Sequence, residues 1–419
     1  MELVAETHSA AGDRVPWLSR RLFPLLATIG LIAFGVASTT WWGPALLGKA
    51  AWSLPDDLWA TMAAAQRLMH GDLAGLYTPP TRLVTFPGAA VILVPVVAVI
   101  DAARLSLQVQ NAHNLHPGAW LIAGPYETAL SAVVLFAADA IAERLGASRP
   151  KRAVLAGASA VALWSVSVRW GHPEDAVAVG LLLYAILALS ESRTSRSAWL
   201  MGAAVAIQPL VLLALPVLAV VIEPRRLAGY LIRAAIPAVV LLGAAAAANW
   251  TATIHAVTSQ PNWVTVDQVT PWASLAPHEG TGPGVAAGPA RLLAIIVACG
   301  CALVAGRRWR AARGARRWST QTLAEVLWWT AVALALRSVF EPVMVSYYLW
   351  PPLAVALIAS SQRWSRLIPA SAAAAVLTLV SQLTWRGPWS WWAPMVAGLA
   401  LTLFFARVPA ARPVLSERE

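Results

Sequence analysis

Apolar residues come in runs long enough to cross a bilayer, and these runs fill nearly the whole chain. A spanning helix needs about 20 predominantly apolar residues. Segments of that order occupy 22–40, 86–104, 119–143, 153–170, 176–190, 230–249, 291–306, 322–338, 343–361, 367–385 and 389–407. A tight out-and-back pair over 198–222 is broken at Gln208-Pro209. The pattern predicts an all-α, polytopic integral membrane protein of about 12 transmembrane helices. It forms one domain over 22–407, between an N-terminal tail, 1–21, and a C-terminal tail, 408–419.

The gaps carry the orientation. Arg20-Arg21, the stretch Arg144 to Arg152, Arg193 and Arg196, Arg225-Arg226, the run Arg307 to Arg317, and Arg363 with Arg366 are short and basic. Such gaps face the cytoplasm. Both tails are then cytoplasmic, in a multi-pass protein of the plasma membrane. From residue 153 onward the alternation closes. At the front it does not: with 22–40 leading out and Arg144 to Arg152 inside, 86–104 and 119–143 cannot both cross. One must be re-entrant or broken, or one loop violates the charge rule, and Pro87, Pro95 and Gly124-Pro125 suit an irregular helix.

This leaves two long outer loops, 41–85 and 250–290. In the first, Leu58, Met62, Ala65 and Leu68-Met69 recur at helical spacing and predict a juxtamembrane amphipathic helix. Asp56 or Asp57 suits its N-cap. The second is rich in Pro, Gly and Thr and contains His255, His278 and Glu279. Tryptophans at the run ends (Trp41, Trp42, Trp170, Trp250, Trp350, Trp385, Trp389, Trp391 and Trp392) read as an aromatic belt.

Composition agrees. Of 419 residues, 58% are hydrophobic and 12% charged, with mean hydropathy +0.63, which excludes a soluble globular protein. The net charge of +11 lies in the gaps as a topological signal, so no nucleic-acid partner is expected. The first run is long enough for an uncleaved helix rather than a signal peptide. Cys299 and Cys301, two apart within an apolar run, face different ways and predict neither disulfide nor metal site. No Gly-rich phosphate loop is present and no cofactor is indicated; the acids at the outer face could bind a divalent ion, but no compact cluster has metal-ligand spacing.

Ionisable residues concentrate at run ends on the outer side. Asp56 and Asp57 cap a helix, or one of them is a general base taking the proton of an acceptor hydroxyl. In Arg169-Trp170-Gly171-His172-Pro173-Glu174-Asp175, Glu174 and Asp175 either open the next helix or face a cavity with His172. Arg337 pairs with Glu341, snorkels, or meets a phosphate, for which a guanidinium is well shaped. Tyr347 and Tyr348 follow as belt or site residues. Arg82 is a second phosphate candidate, and Gln208 places an amide in an apolar setting.

The order of these pieces resembles a known family. A first span is followed by Asp57-Leu58 opening a helix, then Met69-His70-Gly71-Asp72-Leu73, Leu76-Tyr77-Thr78-Pro79, Thr85-Phe86-Pro87-Gly88 and Leu93-Val94-Pro95. Later come Trp170 to Asp175, Gly202 with Gln208, and Arg337, Glu341-Pro342 and Tyr347-Tyr348. The whole is similar to the GT-C-type polytopic glycosyltransferases, especially the actinobacterial family 87-like polyprenyl-phosphate mannosyltransferases and their uncharacterised relatives. The resemblance covers roughly 20–405.

It implies a GT-C-like fold with its site on the outer face. The donor would be a sugar, commonly mannose, on a polyprenyl phosphate. The acceptor would be a lipid-linked glycan, a glycolipid or a cell-envelope polymer. The catalytic aspartate maps onto Asp57, with Asp56 the close alternative. Arg82, His172, Glu174, Asp175, Gln208, Arg337, Glu341, Tyr347 and Tyr348 then contact substrate or the leaving phosphate. Two other classes stay open: a non-catalytic assembly protein of the same fold, and a transporter or flippase of lipid-linked substrate.

Overall fold

The computed structural model describes residues 17–39, 52, 56–79, 81, 83, 85–107, 117–259, 262–263, 269–278, 284–286, 288–311, 318–383 and 387–408. Helices dominate. They are α1 (Leu22–Ala37), α2 (Asp56–Met69), α3 (Pro87–Ala102), α4 (Pro117–Ser131), α5 (Val133–Arg144), α6 (Arg149–Trp164), α7 (Pro173–Ser190) and α8 (Thr194–Ile207). Then follow α9 (Leu215–Val221), α10 (Pro224–Ala248), α11 (Trp250–Ser259), α12 (Pro289–Ala311), α13 (Thr320–Phe340), α14 (Trp350–Ser360), α15 (Trp364–Val380) and α16 (Pro388–Ala406). Among the described residues, six helices are long and apolar enough to span a membrane: Ala119–Arg144, Pro173–Ser190, Pro224–Ala248, Pro289–Trp309, Thr320–Phe340 and Pro388–Ala406. Shorter apolar helices, Leu22–Ala37, Pro87–Ala102, Pro209–Val221 and Trp364–Val380, pack among them. The molecule is an all-α, multi-pass membrane protein.

The basic gaps gather at one end of the bundle. Asp139, 2% exposed, accepts from Arg21 Nη1 at 2.8 Å and from Arg152 Nε at 2.7 Å. Arg20 reaches Glu143 at 2.9 Å, and Lys151 Nζ donates to the Gln362 carbonyl at 2.6 Å. The starts of α1, α6 and α15 and the end of α5 therefore share this arginine-rich end. At the opposite end Trp52, 1% exposed, is wedged between α1 and α4. A Cβ on Gly35 would lie 2.3 Å from its indole, and one on Gly124 2.2 Å away, so only glycine leaves room for the ring.

That contact resolves the front of the chain. The helix is not broken at Gly124-Pro125; α4 continues through it, because the missing Cβ there seats Trp52. With α5 it runs from the Trp52 end to the arginine-rich end. By contrast α3 has 16 residues, about 24 Å of helix. Its Gly88 lies against the Ala206 carbonyl of α8, and its flank is covered by α2. Leu58, Met62 and Ala65 of α2 are buried with Leu93, Val97 and Ile100 of α3, the face expected from their spacing.

Two expectations are corrected. The segment 250–290 is not simply a loop. It opens with the ten-residue α11 and contains a small antiparallel pair, β1 (Asn262–Trp263) and β2 (Gly284–Val285). Nor are all the terminal tryptophans belt residues. Trp250 and Trp389 are exposed, but Trp350 and Trp391 are buried, and Trp391 and Trp392 donate their indole N–H groups to the Met344 and Val339 carbonyls. Indole is the largest side chain available to fill a core, and the donors of Trp391 and Trp392 find backbone carbonyls there. Trp41, Trp42 and Trp385 lie outside the described residues.

Candidate functional site

At the end opposite the arginine-rich gaps, several elements converge on a buried polar cluster. Its centre is the turn between α6 and α7. The helix widens into a π-turn over Ser165–Arg169, and the chain reverses through Gly171 at φ 61°, a left-handed conformation suited to glycine. Pro173 then opens α7, with Glu174 and Asp175 in its first turn. Both acids occupy the helix-opening positions the sequence offered, where negative charge suits the dipole. Yet both side chains turn inward: Glu174 is 4% exposed and Asp175 0%.

Each makes a specific contact. Glu174 Oε1 lies 2.7 Å from His172 Nδ1. With that N–H donated to the carboxylate, Nε2 of His172 is the acceptor of the ring. The imidazole stacks on Tyr347, centroids 3.9 Å apart and planes at 24°. Asp175 Oδ1 accepts from Gln208 Nε2 at 2.6 Å, and Gln208 Oε1 accepts from Thr85 Oγ1 at 3.2 Å. Gln208 can do this because α8 stops at Ile207: Gln208 is extended, and Pro209 starts a 3-10 turn. The polar residue in an apolar setting is thus the partner of a buried acid, and it ties Thr85, just ahead of α3, to α7.

The third contributor is the end of α13. Arg337 lies over the ring of Tyr348, 3.8 Å from its centroid, with Asp175 and Glu341 among its charged neighbours. Glu341, 1% exposed, is bridged by Arg291 at the start of α12. The segment from Thr270 covers this corner. Its hydroxyl donates to the Glu341 carbonyl at 2.6 Å, and Val269 pairs with Val343. Tyr347 and Tyr348 are buried at 6% exposure each, so they belong to the cluster and not to a lipid-facing belt.

Of the residues singled out in the sequence, His172, Glu174, Asp175, Gln208, Arg337, Glu341, Tyr347 and Tyr348 come together here, from three segments distant along the chain. Arg82 lies outside the described residues, between the buried Thr81 and Leu83. The side chains of Asp56 and Asp57 also lie outside them. Helix α2 itself opens at Asp56, so both aspartates fall in its first turn and neither is its N-cap. Trp52 fixes where that helix begins: its N–H donates to the Val168 carbonyl at 2.9 Å, beside the central turn. No more than about 14 Å of extended chain separates Trp52 from Asp56.

Glu127 of α4 was not among the expected residues. It is 2% exposed, Glu174 is an electrostatic neighbour, and neither of its carboxylate oxygens has a hydrogen-bond partner among the described residues. Asp175 Oδ2 and Arg337 Nη1 share that condition. A signal was present: an acid inside an apolar run is a functional candidate by default. Arg291, which holds Glu341, reads in the sequence only as a charge at a run end. Among the described residues no three His, Cys, Asp or Glu side chains are grouped to hold a metal ion. The cluster therefore offers a fixed cation, two aromatic hydroxyls, and carboxylates with unused acceptor capacity, all shielded from bulk water. No protein-family model matches the chain, and no curated protein matches it.

Proposed function

We propose that the chain is a membrane glycosyltransferase. It moves a sugar, mannose by the resemblance in its sequence, from a polyprenyl phosphate to a lipid-linked or cell-envelope glycan acceptor. The observation that carries the reading is the convergence of Arg337, His172, Glu174, Asp175 and Gln208 at the end away from the arginine-rich gaps, beside the helix that Asp56 and Asp57 open. With the arginine-rich end in the cytoplasm, this site faces outward. On this reading α3 stays on the outer side, α4 with α5 counts once, and α6 includes its π-turn. Pro209–Val221, and the stretch from Ser346 through α14, also count as one crossing each. Twelve crossings result, both tails are cytoplasmic, and the fold is GT-C-like.

The chemistry follows from the groups. Asp57, or Asp56 beside it, takes the proton of the acceptor hydroxyl as that oxygen bonds to the anomeric carbon. The bond from that carbon to the phosphate oxygen breaks, and polyprenyl phosphate leaves with the electron pair, inverting the anomeric centre. The charge on the departing phosphate needs a preorganised cation, and Arg337, stacked and flanked by acids, is held in place for it. Arg82 is the further donor, and His172, its N–H given to Glu174, presents Nε2 as an acceptor to a sugar hydroxyl.

Purified protein in lipid, offered polyprenyl-phosphate-mannose or a nucleotide sugar with a panel of acceptor lipids, tests the proposal. Transfer from the lipid donor alone, abolished in Asp57→Asn without loss of insertion, is the expected result. Absence of transfer from either donor by well-folded protein overturns it. Glu127 favours one second reading. A buried carboxylate without hydrogen-bond partners is also what a proton-coupled carrier of amphipathic substrate needs; proton-driven uptake into vesicles, abolished by Glu127→Gln, would select it.

A further inference from the structure

The arginine-rich end holds a feature that the positive-inside rule does not require. Between the α7–α8 turn and the start of α10 lies a cleft of about 640 Å³. Arg193, Arg196, Arg225, Arg226 and Arg233 line it, with Ser192, Thr194, Ser195 and Gly229 between them. Among the described residues no carboxylate lines it. Glu191 and Glu223 stand at its margin, bridged to Arg193 at 3.2 Å and Arg226 at 3.0 Å. A topological signal needs cations in a gap, but it does not need five guanidiniums converging on one concavity, where each raises the potential felt by the others.

The helices sharpen the point. α8 and α10 both begin at this cleft, so the positive ends of two macrodipoles add to the arginines. Neither helix has an acid in its first turn or a side-chain hydrogen bond at its cap; the N-cap residue of α10 is Glu223, whose carboxylate is turned to Arg226. Instead Arg196 stands in the first turn of α8, and Arg225 and Arg226 in that of α10. That is the sign a helix start disfavours, unless an anion sits among the charges. The cleft also continues into an apolar surface. Gly229, Arg233, Ile236 and Val240 follow at four-, three- and four-residue spacing on one face of α10, and Ile236 and Val240 are exposed. A ligand with an anionic head in the cleft and an aliphatic tail along α10 would match both parts.

We infer that this cleft binds the phosphate headgroup of an anionic membrane lipid in the leaflet at the arginine-rich end. The site is separate from the buried cluster at the other end and does not depend on what that cluster does. Guanidiniums suit the phosphate through forked donation, and Ser195 and Thr194 add hydroxyl donors. A soluble phosphate ester shares the headgroup chemistry but gains nothing from Ile236 and Val240.

Native mass spectrometry of the detergent-purified full chain tests this. Dioleoyl phosphatidic acid is compared with dioleoyl phosphatidylcholine, and glycerol 3-phosphate is added as soluble competitor. The expected result is selective retention of phosphatidic acid, weakened about thirtyfold by Arg196→Gln with Arg225→Gln, roughly fivefold for each guanidinium. Arg307→Gln with Arg308→Gln, in the last turns of α12, should leave it within about twofold, since neither residue lines the cleft. A measurement on the unaltered protein runs alongside: phosphatidic acid should protect Arg196 and Arg225, but not Arg307, from modification by phenylglyoxal. Equal loss in both pairs of variants overturns the site in favour of a diffuse basic surface. Retention of phosphatidylcholine to the same extent, or displacement of the lipid by equimolar glycerol 3-phosphate, overturns the assignment to an anionic lipid.

Discussion

Trp52→Ala should release the segment that carries Trp52 and α2 from the bundle while leaving the bundle folded. The indole is 1% exposed and lies between Gly35 and Gly124, whose missing Cβ atoms form the slot. Burying a tryptophan removes about 200 Å² from water. At about 25 cal/mol per Å² that is about 5 kcal/mol, and truncations of buried Phe or Trp to Ala cost about 3–5 kcal/mol. The backbone here is left-handed, φ 50°, a conformation that costs about 1 kcal/mol or more outside glycine and that the docked indole sustains. A net loss of about 3–4 kcal/mol then falls on the contact that docks this segment between α1 and α4 beside the Val168 carbonyl. At about 1.4 kcal/mol per tenfold, amide exchange in α2 and around Leu76 should quicken by about two to three orders of magnitude. Exchange in α7 and α13 should stay within about threefold. Gly124→Val, which fills the slot from the other side, should reproduce the effect, and Trp52→Phe should show a fraction of it. The measurement is hydrogen–deuterium exchange in nanodiscs, read by mass spectrometry. Unchanged exchange in α2 of Trp52→Ala would refute the reasoning, since the segment would then be held without the indole.

At the arginine-rich end, Asp139→Leu leaves Arg21 and Arg152 facing an apolar side chain. It should cost about 3–5 kcal/mol, as removal of one member of a buried ion pair does. Adding Arg152→Leu should restore at least half of that, because Arg21 keeps Glu143 at 2.9 Å; thermal unfolding in detergent reads both. Gly88→Val would place a Cβ 2.3 Å from the Ala206 carbonyl oxygen. It should push α3 off α8, part Thr85 from Gln208 and lower thermal stability by at least about 2 kcal/mol, an overpacking cost; an unchanged melting temperature would contradict that contact. Burial pushes the Tyr77 hydroxyl, bonded to the Thr85 carbonyl at 3.0 Å, above the ordinary phenol range. Its folded pKa exceeds its unfolded one, so its contribution is complete below about pH 10 and is lost as pH rises beyond that. Proteolytic nicking of 70–86 should increase only above that pH, and Tyr77→Phe should remove the dependence.

Most of the candidate site was legible in the sequence because its residues break a strong background. In runs of Ala, Val and Leu, Gln208 and the cluster His172, Glu174 and Asp175 stand out as groups that a bilayer does not tolerate without partners. The observed bonds from Gln208 to Asp175 and from His172 to Glu174 are those partners. The helical face of α2 was legible for a similar reason, as a period of 3.6 in an otherwise polar gap. What escaped notice lacked contrast or a local rule. Glu127 stands in an apolar run, but nothing near it in sequence points to Glu174, the neighbour it meets in the fold. Trp52 sits in a stretch already rich in tryptophan, and nothing nearby announces that Gly35 and Gly124 will meet around it. Arg291 stands at the end of an apolar run with no acid near it in sequence, yet it bridges Glu341, fifty positions away. Such pairings are decided by which helix ends share a layer, and hydropathy alone does not carry that.

The charge content of the cluster argues about what it is for. Glu127, Glu174, Asp175 and Glu341 are each at most 4% exposed. Each loses hydration worth several kcal/mol, which a paired cation only partly offsets. Glu341 has Arg291, Glu174 has His172 and Asp175 has Gln208, but Glu127 is without a hydrogen-bond partner among the described residues. A scaffold would be more stable with leucine or methionine at such a position. If the cluster is only structural, Glu127→Leu should raise thermal stability and leave every activity of the protein intact. If Glu127 meets substrate, the same variant should be at least as stable as the parent yet lose turnover. Stability and turnover moving in opposite directions is the signature of a site that holds strain for a ligand.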